Sequence, residues 1–402
     1  MGFIHFNESM EILNNINISN FKRVKKYLLD CLGYVLAEDI IASYNSPEFA
    51  TSAMDGYAIR YKDQNLERLK VSNINPAGVE IEDEVVEGFA IKTFTGSLMP
   101  KGSDTLIPIE NVEVVGDYII IKDKVSLGFS VREVGENFAK GDKLISKGTK
   151  IDYTHIGVMA SLNIVSPFVY ERPRVSILST GSELLELGQT QTNSSQIRSS
   201  NNYTIEAIVK KYGGEAIQLG CVGDSMKDII SIVRDALNQS DIVVTTGGVS
   251  VGDFDFVKDV ILELGCEVLF KGVRIKPGQH IMVAKKDDKF IIALPGFAYS
   301  STVTALIYLL PLMQKFQNLN HSQLKLVDAT LLDNFDKRQK KAEFTACRVI
   351  LDNGSYFVDF KDKKIGTSAI MTNMLGDIGL LVTSEDDISK KSGDKVKVLI
   401  LD

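Results

Sequence analysis

Apolar and polar positions follow three different patterns along the chain. In the first stretch, Phe21, Val24, Leu28 and Leu32 recur at helical spacing beside Lys22, Lys25 and Lys26, which predicts helix within residues 1–39. From about 46 to 150 the apolar runs are short. Those at 112–115 and 118–121 flank Gly116-Asp117, a hairpin signal, and glycines punctuate the whole stretch at Gly78, Gly88, Gly96, Gly102, Gly128, Gly135, Gly141 and Gly148. This pattern predicts a β-rich region, a small barrel or sandwich.

After Glu171-Arg172-Pro173 the pattern changes. Strands are expected at about 175–179, 215–219, 241–245, 267–270, 281–284 and 290–294, and helices at about 201–212, 226–238, 256–264 and 300–316. Strands alternating with helices at this spacing predict a parallel α/β sheet, whose ligands sit beyond the carboxyl ends of its strands. From about 322 the chain reads as strand again, at 326–332, 344–351, 356–360, 379–383 and 395–401, which suggests a C-terminal β-barrel. The fold class expected is therefore multidomain α/β plus β.

Composition narrows the function. A chain of 402 residues exceeds one ordinary core, and 44% hydrophobic with 24% charged residues is usual for a globular protein. A net charge of −7 argues against a dedicated nucleic-acid binder, while leaving room for a local basic pocket. The longest apolar run, 303–313, is too short to span a bilayer, and the first 15 residues lack a signal-peptide pattern, so no membrane partner and a cytoplasmic location are expected. Cys31, Cys221, Cys266 and Cys347 are far apart, as are His5, His155, His280 and His321, so ordinary structural thiols and imidazoles are expected and no zinc signature is present.

The sharpest chemical constellation is the segment 245–255, TTGGVSVGDFD, between an apolar strand and a helix. Gly247 and Gly248 let backbone N–H groups converge on an anion, with Ser250 alongside, and the following helix adds positive potential. Asp253 and Asp255 would oppose that anion unless a cation intervenes, so loop amides for phosphate and carboxylates for Mg²⁺ form one consistent reading. Glu183, in Thr180-Gly181-Ser182-Glu183-Leu184, either positions water or metal or is a first-turn carboxylate facing a helix dipole. Asp224 reads as a cap for the helix at 226–238. Lys276-Pro277-Gly278 and Pro295-Gly296 end further strands, and Lys276 could meet a phosphate as a point charge. In isolation Asp55-Gly56 reads as a hairpin turn. No Walker loop, Rossmann fingerprint or Ser-His-Asp order is present.

Taken together, these segments resemble the MoeA family, also seen as the E-domain of gephyrin. The resemblance runs over nearly the whole chain: SAMDGYA at 52–58, FTG at 94–96, TGSEL at 180–184, TTGGVSVGD at 245–253, IKPG at 275–278, LPG at 294–296 and GTS at 366–368, in the family's order. It implies four regions, at 1–45 with 140–172 (discontinuous and elongated), 46–139 (β-rich), 173–321 (a three-layer molybdopterin-binding α/β domain) and 322–402 (a β-barrel), in a homodimer. It implies molybdopterin molybdenumtransferase chemistry: adenylylated molybdopterin and molybdate give molybdenum cofactor, AMP and water, with Mg²⁺.

By motif position the resemblance carries Asp55, Glu183 and Asp255 over as catalytic residues, with Asp55 acting across the dimer cleft. It implies Glu183, Asp253 and Asp255 as metal ligands, and Thr95, Arg132, Asp224, Gly247, Gly248, Ser250, Lys276, Pro295, Lys341 and Ser368 as substrate-binding residues. The adenylyltransferase that supplies the substrate is an expected partner. The family's R-x-R-G-E-D reads Arg132-Glu133-Val134-Gly135-Glu136-Asn137, its P-G-N-P reads Pro295-Gly296-Phe297-Ala298, a Lys expected before IKPG reads Gly272, and Lys341 stands where Arg is usual. Two other readings are a molybdopterin adenylyltransferase-like enzyme, which is typically one domain, and a non-catalytic molybdopterin-binding scaffold.

Overall fold

The computed structural model describes residues 2–248, 257–319 and 323–401. The chain divides into two compact units, Met1–Glu38 with Gly148–Ile156 and Ser166–Asp402, and Asp39–Lys147 with Gly157–Val165. Each unit is discontinuous in sequence, because the chain leaves the first, returns at residue 148, and crosses again after 156.

The smaller unit is built on a six-stranded sheet in the order Thr105–Pro108, Gly56–Ile59, Phe89–Thr93, Leu69–Asn75, Tyr118–Ile121, Val112–Val115. The predicted hairpin is present, with Val115 opposite Tyr118 across Gly116 at φ 60°. Tyr57, Ile59, Leu69, Ala90, Ile107 and Ile119 form its core. A barrel or sandwich is the expectation from sequence; six of the strands pair as one sheet whose end strands are not bonded to each other, beside short two-stranded ladders at Thr51–Ser52 with Val131–Arg132 and Ile40–Ile41 with Lys143–Ile145. Asp55-Gly56 is not a hairpin turn. Thr51–Ser52 pairs with Val131–Arg132, whereas Gly56–Ile59 pairs with Phe89–Thr93 and Thr105–Pro108, so the dipeptide joins two different ladders. Gly56 is required by close approach, since a Cβ there would stand 2.3 Å from the Ile107 carbonyl oxygen.

In the larger unit an N-terminal helix, Phe6–Asn14, is followed by extended chain rather than by the helix predicted around 21–32. Arg23–Lys25 pairs antiparallel with Phe168–Tyr170, and Leu28–Cys31 forms only a single 3₁₀ turn. A helical stripe would need to bury Leu28 and Leu32 together, yet Leu28 is 8% and Leu32 58% exposed. The strand's period of two decides instead, placing Arg23 and Lys25 on one face, both over the Phe168 ring at 5.1 and 5.0 Å.

The α/β domain contains β1 (Arg174–Thr180), α1 (Asn201–Lys211), β2 (Glu215–Val222), α2 (Met226–Gln239), β3 (Ile242–Thr246), α3 (Val257–Glu263), β4 (Glu267–Lys271), β5 (Met282–Lys286), β6 (Lys289–Leu294) and α4 (Ala298–Thr304). The sheet order is β2-β1-β3-β6-β5-β4. The first four strands are parallel, and β5 and β4 add antiparallel to the edge, so the predicted all-parallel sheet is a mixed one. The cause is local: Asp287, at φ 53°, turns β5 straight back into β6, and Lys286 pairs with Lys289.

Both faces of the central strands are buried, as parallel strands require. Val175, Ile177, Ile242, Val244 and Ile292 pack on one side with Ile205 and Val209 of α1, while Leu178, Val243, Ile291 and Ala293 pack on the other with Ile229 and Val233 of α2 and Val260 of α3. The chain from α4 continues through a π-helical turn, Ala305–Leu309, into a further helix, Leu310–Phe316. Pro311 has no N–H to offer the preceding turn, and the wider turn absorbs that mismatch.

The C-terminal strands β7 (Lys325–Leu331), β8 (Ala342–Asp352), β9 (Ser355–Asp359), β10 (Ile378–Thr383) and β11 (Lys395–Ile400) run in the order β8-β9-β7-β11-β10, and β10 pairs again with β8. That last ladder closes the sheet into the predicted barrel. Phe335, Cys347, Val358, Leu381 and Val398 fill it. Ile275–Lys276 adds to β8 as a short parallel strand, with Lys276 opposite Glu343.

Candidate functional site

At the carboxyl ends of β1, β3 and β6 lies a groove of about 550 Å³. Thr180, Glu183, Gly247, Gly248, Pro295 and Phe297 are among its walls. Gly247 and Gly248 have φ of 88° and 64°, so their N–H groups turn where ordinary residues rarely go. A Cβ at Gly247 would fall 2.6 Å from the Thr180 carbonyl oxygen, which couples the two strand-end loops tightly. Ser250, Asp253 and Asp255 lie outside the described residues.

Glu183 is not a first-turn helix carboxylate, because no helix follows it. The chain turns into a two-residue strand, Leu184–Leu185, paired parallel with Ile197–Arg198, before α1 begins at Asn201. The Glu183 carboxylate folds back over Gly181, where a Cβ would come within 2.7 Å of Oε2. Asp224 does not cap α2, because the Ser225 hydroxyl does so by accepting from the Asp228 N–H. Asp224 instead accepts from the Ser182 N–H and Oγ, at 3.2 and 2.8 Å, and so fixes the loop that carries Glu183.

A second chamber of about 320 Å³ adjoins the groove, sharing His280, Pro295 and Phe297 with it. Lys276, Lys341 and Ser368 line this chamber. Lys276 Nζ stands 3.5 Å from Glu343 Oε2, and the Glu343 side chain is 3% exposed. Lys341 donates to Gln279 Oε1 at 2.7 Å. Since that oxygen faces a donor, the Gln279 amide nitrogen is the atom turned to His280 Nε2, at 2.9 Å, and donates to it. Ser368 offers its carbonyl to the Ser300 N–H at 3.2 Å. Gly272 cannot carry a side chain in this conformation: its φ is 74° and the Phe3 ring occupies the place of a Cβ, 2.2 Å away.

The remaining sequence-derived site residues belong to the other unit. Thr95 donates from its N–H and its hydroxyl to Asp55 Oδ1, at 2.8 and 2.7 Å. Those two bonds, first the backbone one, hold the Asp55 carboxyl below its ordinary pKa. Arg132 is exposed and pairs with Glu136 at 3.2 Å. Asn137 donates to Ser46 Oγ at 3.3 Å, making a neutral contact where the family's carboxylate would be.

Of the residues singled out from sequence, the structure brings Glu183, Gly247, Gly248 and Pro295 to one groove and Lys276, Lys341 and Ser368 to one chamber. Sequence reasoning passed over Arg198, Asn201, His280 and Phe297, all of which line the groove. His280 had only its isolation in sequence to judge by, and Arg198 lies in a polar stretch without periodicity. Among the described residues no group of three or more His, Cys, Asp or Glu side chains could hold a metal. All four cysteines are free, and burial pushes the Cys221 thiol up to about 11 and Cys347 up to about 12, so neither is a ready nucleophile. Among the described residues no helix is long and apolar enough to cross a membrane.

The chain is similar to known proteins along its length. Residues 4–163 match the family described as "MoeA N-terminal region (domain I and II)" and residues 176–315 the "Probable molybdopterin binding domain". The chain is 32% identical to a molybdopterin molybdenumtransferase of Staphylococcus epidermidis, over 81% of this chain and 77% of that one. It is 34% identical to the Haemophilus influenzae molybdopterin molybdenumtransferase over 72% of each. The crystal structure of a molybdopterin biosynthesis MoeA protein from Pyrococcus horikoshii superposes over 100% of both chains with a TM-score of 0.85 at 27% identity. With these matches along its length and the groove at its strand ends, the chain belongs to the MoeA family of molybdopterin molybdenumtransferases.

Proposed function

We propose that the chain is a molybdopterin molybdenumtransferase that inserts molybdate into the dithiolene of adenylylated molybdopterin, with Mg²⁺-dependent release of AMP. The observation that carries this reading is the pair of adjoining cavities, about 550 and 320 Å³, one at the Gly247-Gly248 turn and one lined by Lys276 and Lys341. A phosphorylated pterin nucleotide needs a long groove with backbone donors, and a small oxyanion needs cations and hydroxyls in a separate recess.

In this reading the Gly248 amide takes a substrate phosphate oxygen, while the Gly247 N–H holds the turn by donating to the Leu294 carbonyl at 3.3 Å. Lys276, Lys341 and Ser368 hold molybdate by charge and hydrogen bonds, and Glu343 sets where the Lys276 ammonium stands. Glu183, with Asp253 and Asp255 assigned from the motif, would supply carboxylate oxygens of the kind Mg²⁺ prefers. Mg²⁺ would supply charge neutralisation on the diphosphate being cleaved. Glu183 also orients the attacking water, and Asp224 keeps the Glu183 loop in place through Ser182. Asp55, Thr95 and Arg132 act on the substrate from a second copy in a homodimer, and the setting is cytoplasmic, where an adenylyltransferase delivers the substrate.

The test is AMP release from adenylylated molybdopterin with Mg²⁺, with and without molybdate, in the wild-type chain and in Glu183→Ala. Release that requires molybdate and falls at least a hundredfold in the variant is the expected result, being the loss of one positioned group at the reacting centre. Intact substrate binding with no release in the wild type would refute the transferase reading.

A further inference from the structure

Phe297 is 65% exposed although it stands on the wall of a cavity, and it borders both the groove and the lysine chamber. Its backbone is firmly held. The Phe297 carbonyl accepts from the Ser301 N–H at 2.8 Å, the Gly296 carbonyl accepts from Asn201 Nδ2 at 2.8 Å, and the next two residues, Tyr299 and Ser300 beyond Ala298, are 4% and 2% exposed. The ring is therefore presented by a fixed base rather than left on a loose loop. Ile197, 55% exposed, and Leu184 are further large apolar side chains lining the same groove. Gly296 packs against Gly247, where its Cβ would be 3.7 Å from the Gly247 Cα, so the ring projects beside the turn that offers backbone donors to an anion.

We propose that Phe297 is the platform on which a planar heteroaromatic ring of the ligand stacks, and that it determines the groove's preference for ligands joining such a ring to a phosphate. This rests on the reading that the groove binds a pterin nucleotide. A flat ring laid on Phe297 covers its exposed apolar face, while the phosphate attached to it reaches the Gly248 amide. Stacking tolerates any flat ring, so pterin and adenine are the two sources of the same chemistry.

The chain has no tryptophan, which makes Phe297→Trp a single-tryptophan reporter, excited selectively at the red edge where tyrosine does not absorb. Adenylylated molybdopterin, molybdopterin and AMP are titrated separately into this variant, and their dissociation constants are measured by calorimetry for wild type, Phe297→Leu and Phe297→Ala. Saturable quenching in the Trp variant is expected, with binding about tenfold weaker in Phe297→Ala and an intermediate loss in Phe297→Leu. A response to AMP alone places adenine on the ring and a response to molybdopterin alone places the pterin there, and either supports the platform. Equal affinity in wild type and Phe297→Ala, with unchanged emission at saturation, overturns it. If wild type binds none of the three probes, the proposed function falls and the platform with it, an outcome visible before any variant is made.

Discussion

In the α/β sheet, β1, β3 and β6 run the same way and deliver their carboxyl ends to one edge, where the chain turns through glycines into a wide groove. In the barrel most neighbours run antiparallel, the last ladder closes on the first strand, and the interior is filled with Phe335, Cys347, Val358 and Leu381. The sheet thus offers backbone donors and the barrel offers side chains from its rim, above all Lys341 and, through Lys276, the buried Glu343. In the proposed function the first region would bind by the shape of its main chain, so changes there should act through conformation. The other contributes by placing charge, so changes there should act through electrostatics and leave the fold mostly intact.

The largest effect that would test this contrast is expected from Gly247→Ala. The position needs a left-handed φ of 88° and a Cβ would meet a backbone oxygen at 2.6 Å, so nothing flexible can give way. A loss of at least ~2 kcal/mol in stability together with loss of phosphate-ligand binding is expected, measured by denaturant unfolding and calorimetry. Wild-type stability and affinity in this variant would break the comparison.

Glu343→Gln comes next. The buried carboxylate would lose its charge while keeping its shape, freeing Lys276 from its ion pair. Because Lys276 is only partly buried, stability should change by about 1 kcal/mol, whereas molybdate affinity or turnover should shift about tenfold. A large stability loss without any change in molybdate dependence would assign Glu343 to the barrel's structure alone.

The smallest effect separates the regions by acid. Asp359 in the barrel is held below the usual carboxylate range by the Arg348 guanidinium, which binds it through both Nε and Nη2. A depressed carboxylate contributes stability that is complete above its unfolded pKa, near 4, and is lost as pH falls through its folded value. Asp359→Asn should therefore remove about 1 kcal/mol at neutral pH, modest because Arg348 is 37% exposed, and should flatten the acid limb of the pH–stability curve. An unaltered acid limb would show that the pair adds nothing to the barrel.

Most strands and helices after residue 173 are legible in the sequence, because strands buried on both faces appear as continuous apolar runs and the intervening helices carry a period of 3.6. The edge of that sheet is not, since parallel and antiparallel strands share one composition and only the tight turn at Asp287 distinguishes them. At 21–32 the same reading failed for a different reason. Three lysines beside spaced apolar residues suit a helix, yet Arg23–Lys25 finds a strand partner more than 140 residues away at Phe168–Tyr170. Local pattern contains no record of such a partner.

The candidate site divides along the same line. The glycines of TTGG and the motif order are properties of the chain itself: positive-φ turns demand particular residues wherever they occur, so the turn at Gly247-Gly248 and the family resemblance were legible in sequence alone. Tertiary structure decided which side chains share a cavity. It set Lys276 against Glu343, linked Lys341 through Gln279 to His280, tied Asp224 to Ser182 rather than to a helix start, and left Phe297 exposed between two chambers. Those relations depend on distances between residues far apart in the chain, which are fixed only when apolar burial packs the strands and helices that carry them.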